Sequence, residues 1–150
     1  MRYCLRLRVV MSHRLGTQLS FAIYGVAARM ARLHKPFLAP LGLTFPQYLV
    51  MLELYVGTPR YVGDLGNSLG MDTGTITPLL KRLEASGMIT RMRDPKDERC
   101  VLINLTPAAE AIKDEVWGIT DKIKSACKID EAGLIALRDT LNDFARPAVE

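Results

Sequence analysis

Apolar residues in this chain follow helical spacing almost throughout and alternate with polar ones in one short stretch. Ile76, Leu79, Leu80 and Leu83 fall at i, i+3, i+4 and i+7 and mark the buried stripe of a helix. Asp72 or Thr73 starts that helix and Gly87 ends it. Its outer face carries the hydroxyls of Thr73, Thr75 and Thr77, then Lys81 and Arg82. Pro78 lies inside it, where its ring crowds the carbonyl of Gly74. A shorter helix from Arg60, with Val62, Leu65 and Leu69 on one face, precedes it and ends at Gly70. Two short helices around a tight, glycine-containing turn are a helix-turn-helix signature. Beyond Gly87 the period changes to two over residues 88–93 and 100–105, with Val101, Ile103 and Leu105 on one face. The tip between these strands is the charged run of residues 94–99, DPKDER. The pattern predicts a mainly α fold with a small β-hairpin wing, a winged helix-turn-helix over about residues 45–106.

The flanks read differently. Residues from about 16 to 35 form a long helix in which Leu19, Phe21, Ala22, Tyr24, Val26, Ala27, Met30 and Leu33 leave little polar face. A helix apolar nearly all round must be covered on several sides, which in so small a protein points to a subunit interface. Pro36 and residues 40–42 break the chain. Thr44 then caps a second helix with Pro46 in its first turn, ending near residues 57–59. Thr106 and Pro107 start a helix running through Trp117 to about Ala126. Asp130 caps a last one with Leu134, Leu137, Leu141 and Phe144 on one face. Residues of about 12–40 and 107–147 are thus expected to clasp a second copy into a homodimer, because two-fold symmetric DNA readers dock two half-sites one helical turn apart.

Composition narrows the class. The chain has 150 residues, 49% of them apolar, enough for one domain with a real core. No apolar run reaches the roughly 18–20 residues of a membrane span. The first ten residues lack the continuous apolar stretch of a signal peptide and read as an upstream extension, with translation starting at Met11. Three cysteines, Cys4, Cys100 and Cys127, form no CxxC or Cys/His cluster, which favours a reducing cytoplasm over a disulfide framework or a zinc site. Residues 1–60 hold eight Lys/Arg and one acid; residues 61–106 hold six of each; residues 107–150 hold six and nine. A neutral middle means that DNA affinity there must rest on a few placed arginines. With two histidines and no triad-like grouping, metal cluster or phosphate loop, neither an enzyme nor a cofactor is expected.

The segments QLSFAIY (18–24), LGLTFPQYLVML (41–52), DTGTITPLLKRLEASGMITR (72–91) and DERCVLINLT (97–106), with the spacing between them, resemble the MarR family of bacterial transcriptional regulators. The likeness is strongest to the branch that senses organic hydroperoxides and covers roughly residues 15–145. It implies a dimer on double-stranded operator DNA, acting as a repressor. It places the helix bearing Thr73, Thr75, Thr77, Lys81 and Arg82 in the major groove. The family's DxR wing motif falls on Asp97 and Arg99, the arginine entering a narrow minor groove and the aspartate fixing it. Arg91 and Arg93 at the hairpin base become backbone contacts.

The chain departs from that branch where the signal is sensed. The branch carries a reactive cysteine where this chain has Ser20, and tyrosines where it has His34 and Phe45; Tyr24 and Tyr48 fit the pattern. A serine hydroxyl has no accessible anion at neutral pH and cannot form a sulfenic acid. The changes at three positions favour a natural paralogue over an engineered serine variant. A small-molecule effector then replaces the peroxide, in a pocket expected from Ser20, Tyr24, His34, Phe45 and Tyr48. The alternatives are a thiol-based redox regulator using Cys127 or Cys100, and an interaction module that has lost DNA binding.

Overall fold

The computed structural model describes residues 18–145. The proposed extension, the choice between Met1 and Met11, and Cys4 lie outside them. The elements run α1 (Leu19–Leu38), a 3-10 turn (Ala39–Leu41), α2 (Phe45–Val56), β1 (Arg60–Tyr61), α3 (Val62–Leu69), α4 (Thr73–Ala85), β2 (Ile89–Arg93), β3 (Val101–Leu105), α5 (Pro107–Ala111), α6 (Lys113–Ala126) and α7 (Glu131–Ala145).

Most boundaries follow from capping chemistry. Thr44 and Gln47 form a reciprocal capping box at α2, the Thr44 N–H donating to Gln47 Oε1 at 2.8 Å. Asp72 caps α4 by accepting from the Thr75 N–H at 2.7 Å, and Thr106 accepts from the Ala109 N–H to cap α5. The α3–α4 turn depends on two glycines. Gly70 sits at φ +63°, and a Cβ on Gly66 would lie 2.8 Å from the Met71 carbonyl oxygen.

Helix α2 is the hub, packing against α1, α3, α4, α6 and β3. The core is Leu38, Val50, Met51 and Leu54 with Leu65, Ile76, Leu80, Leu83, Ile89, Ile103, Val116 and Ile119, all 2% exposed or less. Each buried aliphatic side chain of this kind contributes on the order of 1.5–3 kcal/mol. The predicted α4 stripe, Ile76, Leu79, Leu80 and Leu83, is buried throughout. Tyr55 ties α2 to α5 by donating to the Ala109 carbonyl at 2.6 Å. Burial, helped by nearby Glu110, pushes the Tyr55 phenol up to about 12.

Four local expectations are corrected. Pro36 does not break the chain: α1 runs to Leu38, because Pro36 is exposed and its missing N–H falls on the solvent side. Arg60 does not start a helix; Arg60 and Tyr61 form a strand against β3, in register with Ile103 and Leu102. The wing is therefore a three-stranded antiparallel sheet ordered β1-β3-β2. The helix expected from Pro107 to Ala126 is interrupted at Ile112, which ends α5 and starts α6.

Candidate nucleic-acid interface

Helix α4 presents Thr73, Thr75, Lys81 and Arg82 to solvent, with Thr77 half-buried. Thr75 already serves the N-terminus: hydrogen bonds from its hydroxyl and backbone hold the Asp72 carboxyl below the usual range.

In the wing, Ile89, Arg91 and Arg93 pair with Leu105, Ile103 and Val101, so both arginines lie on the face that carries the core isoleucines. Arg91 is consequently half-buried and ion-paired to Glu84 of α4 at 3.5 Å, while its Nε is sealed from solvent without a hydrogen-bond partner. Arg93 is exposed and donates to the Glu98 carbonyl at 3.2 Å, tying the strand to the tip. Asp97 accepts from both the backbone N–H and the Nε of Arg99, each at 3.1 Å. The Arg99 side chain is still 90% exposed, so its orientation is set while its charge faces outward. The same contacts keep the Asp97 carboxyl low.

The sequence reading missed how the tip is anchored. Asp94 is buried, accepts from the Tyr61 hydroxyl at 2.5 Å and from the Lys96 N–H at 2.8 Å, and its own N–H donates to the Cys100 carbonyl. Tyr61's hydrogen bond is the main reason the Asp94 carboxyl is held down, and Asp94 in turn raises the Tyr61 phenol. Strand β1 is itself clipped in place: Arg60 reaches Glu53 and Ser68, each at 3.0 Å. A hint of this was available, since an aspartate before proline favours a turn closed by its own side chain. The partner Tyr61, 33 residues away, gave none. Tyr61, Thr77, Arg91, Arg99 and Cys100 together border a groove between α4 and the wing.

Cys100 lies 3.6 Å from the Asp97 carboxylate. Burial, then Asp97, push its thiol up, which disfavours the reactive thiolate.

On the opposite side, a cavity of about 330 Å³ opens between α1, α2, α6 and α7. His34 and Tyr48 line it, with Met30, Ile123, Cys127 and Leu134 among its other walls. Phe45 stands behind, its ring 4.7 Å from that of His34, and is not part of the wall. Ser20 and Tyr24 do not join this space within one chain. They lie fourteen and ten residues before His34 on a continuous helix, about 21 and 15 Å away at ~1.5 Å per residue. Both are exposed.

Comparison with known proteins agrees with this geometry. Residues 43–101 match the model of the MarR family. The organic hydroperoxide resistance transcriptional regulator of Bacillus subtilis is 38% identical over 85% of this chain and 87% of its own length. The regulator MgrA of Staphylococcus aureus is 36% identical over 79% of this chain and 82% of its own. The solved structure of reduced AbfR bound to DNA superposes with a TM-score of 0.73 at 32% identity, covering 91% of this chain and 98% of that one. The chain belongs to the MarR family and is a DNA-binding transcriptional regulator of the winged helix-turn-helix type.

Proposed function

We propose that this regulator binds double-stranded operator DNA as a two-fold dimer, represses transcription there, and lets go when a small molecule occupies the cavity beside His34. Helix α4 enters the major groove, with Thr73, Thr75 and Thr77 contacting phosphates or base edges and Lys81 and Arg82 neutralising phosphates. Arg99 enters the minor groove. The observation that carries this reading is the wing tip itself: an arginine 90% exposed, yet steered by Asp97 from two directions. AbfR in its DNA-bound form aligns over nearly the whole chain, which supports the same use here.

Arg91 has the narrower role of backing the wing onto α4 through Glu84, leaving Arg93 as the more available backbone contact. The dimer is supported by the apolar surface of the terminal helices, with Leu19, Phe21, Tyr24 and Val26 exposed on α1 and Leu137, Leu141 and Phe144 on α7. No single helix among the described residues is long and apolar enough to cross a membrane. The proposal places the protein in the cytoplasm with its DNA and assigns it no catalytic role, in keeping with relatives that are transcriptional regulators.

A mobility shift on DNA from the protein's own upstream region tests the reading. Arg99→Ala weakens specific binding by ~1–3 kcal/mol at fixed salt. Unchanged affinity removes the wing arginine from the interface. Absence of any salt-dependent shift by the unaltered protein leaves an interaction module instead.

A second reading, redox control, is favoured by one observation: Cys127 lines the same cavity and is partly accessible. AbfR has also been solved in overoxidized and disulfide forms. Ser20 supplies no thiol, and Cys100 is disfavoured by its neighbours. Peroxide titration followed by mass spectrometry decides: oxidation of Cys127 at low peroxide supports redox control, and an unmodified Cys127 ends it.

A further inference from the structure

Pairing between β2 and β3 ends at Arg93 and Val101, and residues 94–100 project beyond it. This tip is shaped by its own bonds. The Asp94 N–H donates to the Cys100 carbonyl and the Cys100 N–H to the Asp97 carbonyl, each at 2.9 Å. Arg93 reaches the Glu98 carbonyl, and Asp97 holds Arg99. All of these lie within the hairpin, so none of them fixes the tip relative to α4. Among the described residues, one hydrogen bond joins the tip to the rest of the chain, from the Tyr61 hydroxyl to Asp94 at 2.5 Å.

Both ends of that bond are held. Asp94 is 7% exposed and is the one buried acid among the described residues. Its other oxygen accepts from the Lys96 N–H at 2.8 Å. A buried carboxylate keeps to its donors, because leaving them would strand a charge away from water. Tyr61 caps the start of α3, and its backbone pairs with Leu102. Its neighbour Arg60 grips Glu53 of α2 and Ser68 of α3. Helix α3 in turn packs on α4 across the tight turn where Gly66 meets Met71. Tyr61 therefore carries the position of the helix-turn-helix to the tip, where Arg99 stands five residues past Asp94.

We infer that Tyr61 and Asp94 are positioning residues for DNA reading: their bond sets the tip against the helix-turn-helix, so that Arg99 meets the minor groove at the spacing that α4 in the major groove requires. This rests on the proposed minor-groove role of Arg99 and adds what aims it. The base of the wing has a separate tie, Arg91 to Glu84. Loss of the Tyr61 hydroxyl therefore frees the tip and leaves the rest of the wing in place. A freed tip must be ordered again on binding, which weakens affinity without removing any group that touches DNA. Tyr61 is itself 39% exposed and borders the same groove as Arg99, so a direct contact from Tyr61 to DNA is the competing account.

The test measures operator affinity by fluorescence anisotropy at fixed salt, with the full chain and DNA from its own upstream region. Tyr61→Phe keeps the ring and is expected to weaken binding about three- to tenfold, the scale of ordering one or two side chains. In an Arg99→Ala background the same change is expected to cost nothing further, since no arginine is left to aim. Tyr61→Phe combined with Asp94→Ala is expected to lose no more than the larger single loss. Unchanged affinity in Tyr61→Phe overturns the inference. So does a loss that persists in full without Arg99, which makes Tyr61 a direct contact or a general support of the fold. So do additive losses from Tyr61→Phe and Asp94→Ala. Arg99→Ala separates the two levels. If it binds like the unaltered protein, the minor-groove reading falls and this inference with it. If it is weakened while Tyr61→Phe is not, only the positioning role falls.

Discussion

Helix α4 buries Ile76, Leu79, Leu80 and Leu83, whereas α7, of similar length, buries none of its residues. Their sequences have the same amphipathic design, and Ile135, Leu137, Leu141 and Phe144 of α7 are left exposed. The apolar face of α4 is met by α2, α3 and β2 of its own chain. Among the described residues, no element covers the corresponding face of α7 to the point of burying one of its side chains. The wing side is likewise self-contained, with Asp94 answered by Tyr61, Asp97 by Arg99 and Glu84 by Arg91. One half of the molecule is stabilised by its own contacts and presents a finished surface to DNA. The other half presents an unfinished surface, which in the proposed dimer a second copy completes, setting the spacing of two DNA-reading halves.

Substitutions should separate these halves. The largest effect is expected from Leu80→Ala, which empties a fully buried site in the self-contained half. It should cost ~2–5 kcal/mol in denaturant unfolding, at any protein concentration. Gly66→Ala comes next, because its Cβ would press on the Met71 carbonyl oxygen at 2.8 Å. A loss of ~1–3 kcal/mol is expected, together with weaker DNA binding as α3 and α4 shift. Leu141→Glu on α7 should behave differently. It should leave spectroscopic helicity intact at high concentration, raise the dimer dissociation constant measured by sedimentation, and weaken operator binding mainly at low protein concentration. An effect independent of concentration would erase the contrast between the halves.

Tyr61→Phe should be milder, removing the hydroxyl that donates to Asp94 at a small cost in stability, with DNA affinity falling more than stability because the wing loosens. The smallest effect is acid sensitivity. Asp72, Asp94 and Asp97 are all held below the usual carboxylate range in the folded chain. A depressed carboxylate contributes stability that is fully present above its unfolded value, about 3.9 for aspartate, and is lost as pH falls through the lower folded value. Unfolding measured below pH 4 should therefore show a destabilisation that Asp94→Asn reduces.

Much of this organisation was legible in the chain. The i, i+3, i+4, i+7 stripe of α4, the caps at Thr44, Asp72 and Thr106, and the alternation of β3 are local signals that record which face is buried. Non-local contacts left less trace. A two-residue strand such as Arg60–Tyr61 has no periodicity to detect, and the Tyr61–Asp94 hydrogen bond joins residues with no shared pattern. The α5–α6 break at Ile112 has no glycine or proline to announce it. Pro36, which would break a helix by rule, is tolerated where the lost hydrogen bond faces water. The resemblance suggested one pocket holding Ser20, Tyr24 and His34; within one chain, ten to fourteen residues of α1 separate the first two from His34 along the helix. Of the residues lining the cavity, His34 and Tyr48 were named from the family resemblance, whereas Thr120, Lys124 and Glu131 come from helices outside its quoted segments.

The central claim is that two copies of α4 and two wings read one operator. Hydroxyl-radical footprinting on DNA from the upstream region, with the unaltered protein and Arg99→Ala at equal occupancy, tests this most directly. The account predicts two symmetric protected half-sites, with centres about one helical turn apart or a multiple of it, and flanking minor-groove protection that disappears in Arg99→Ala. A single asymmetric footprint, or flanking protection that persists without Arg99, would contradict it.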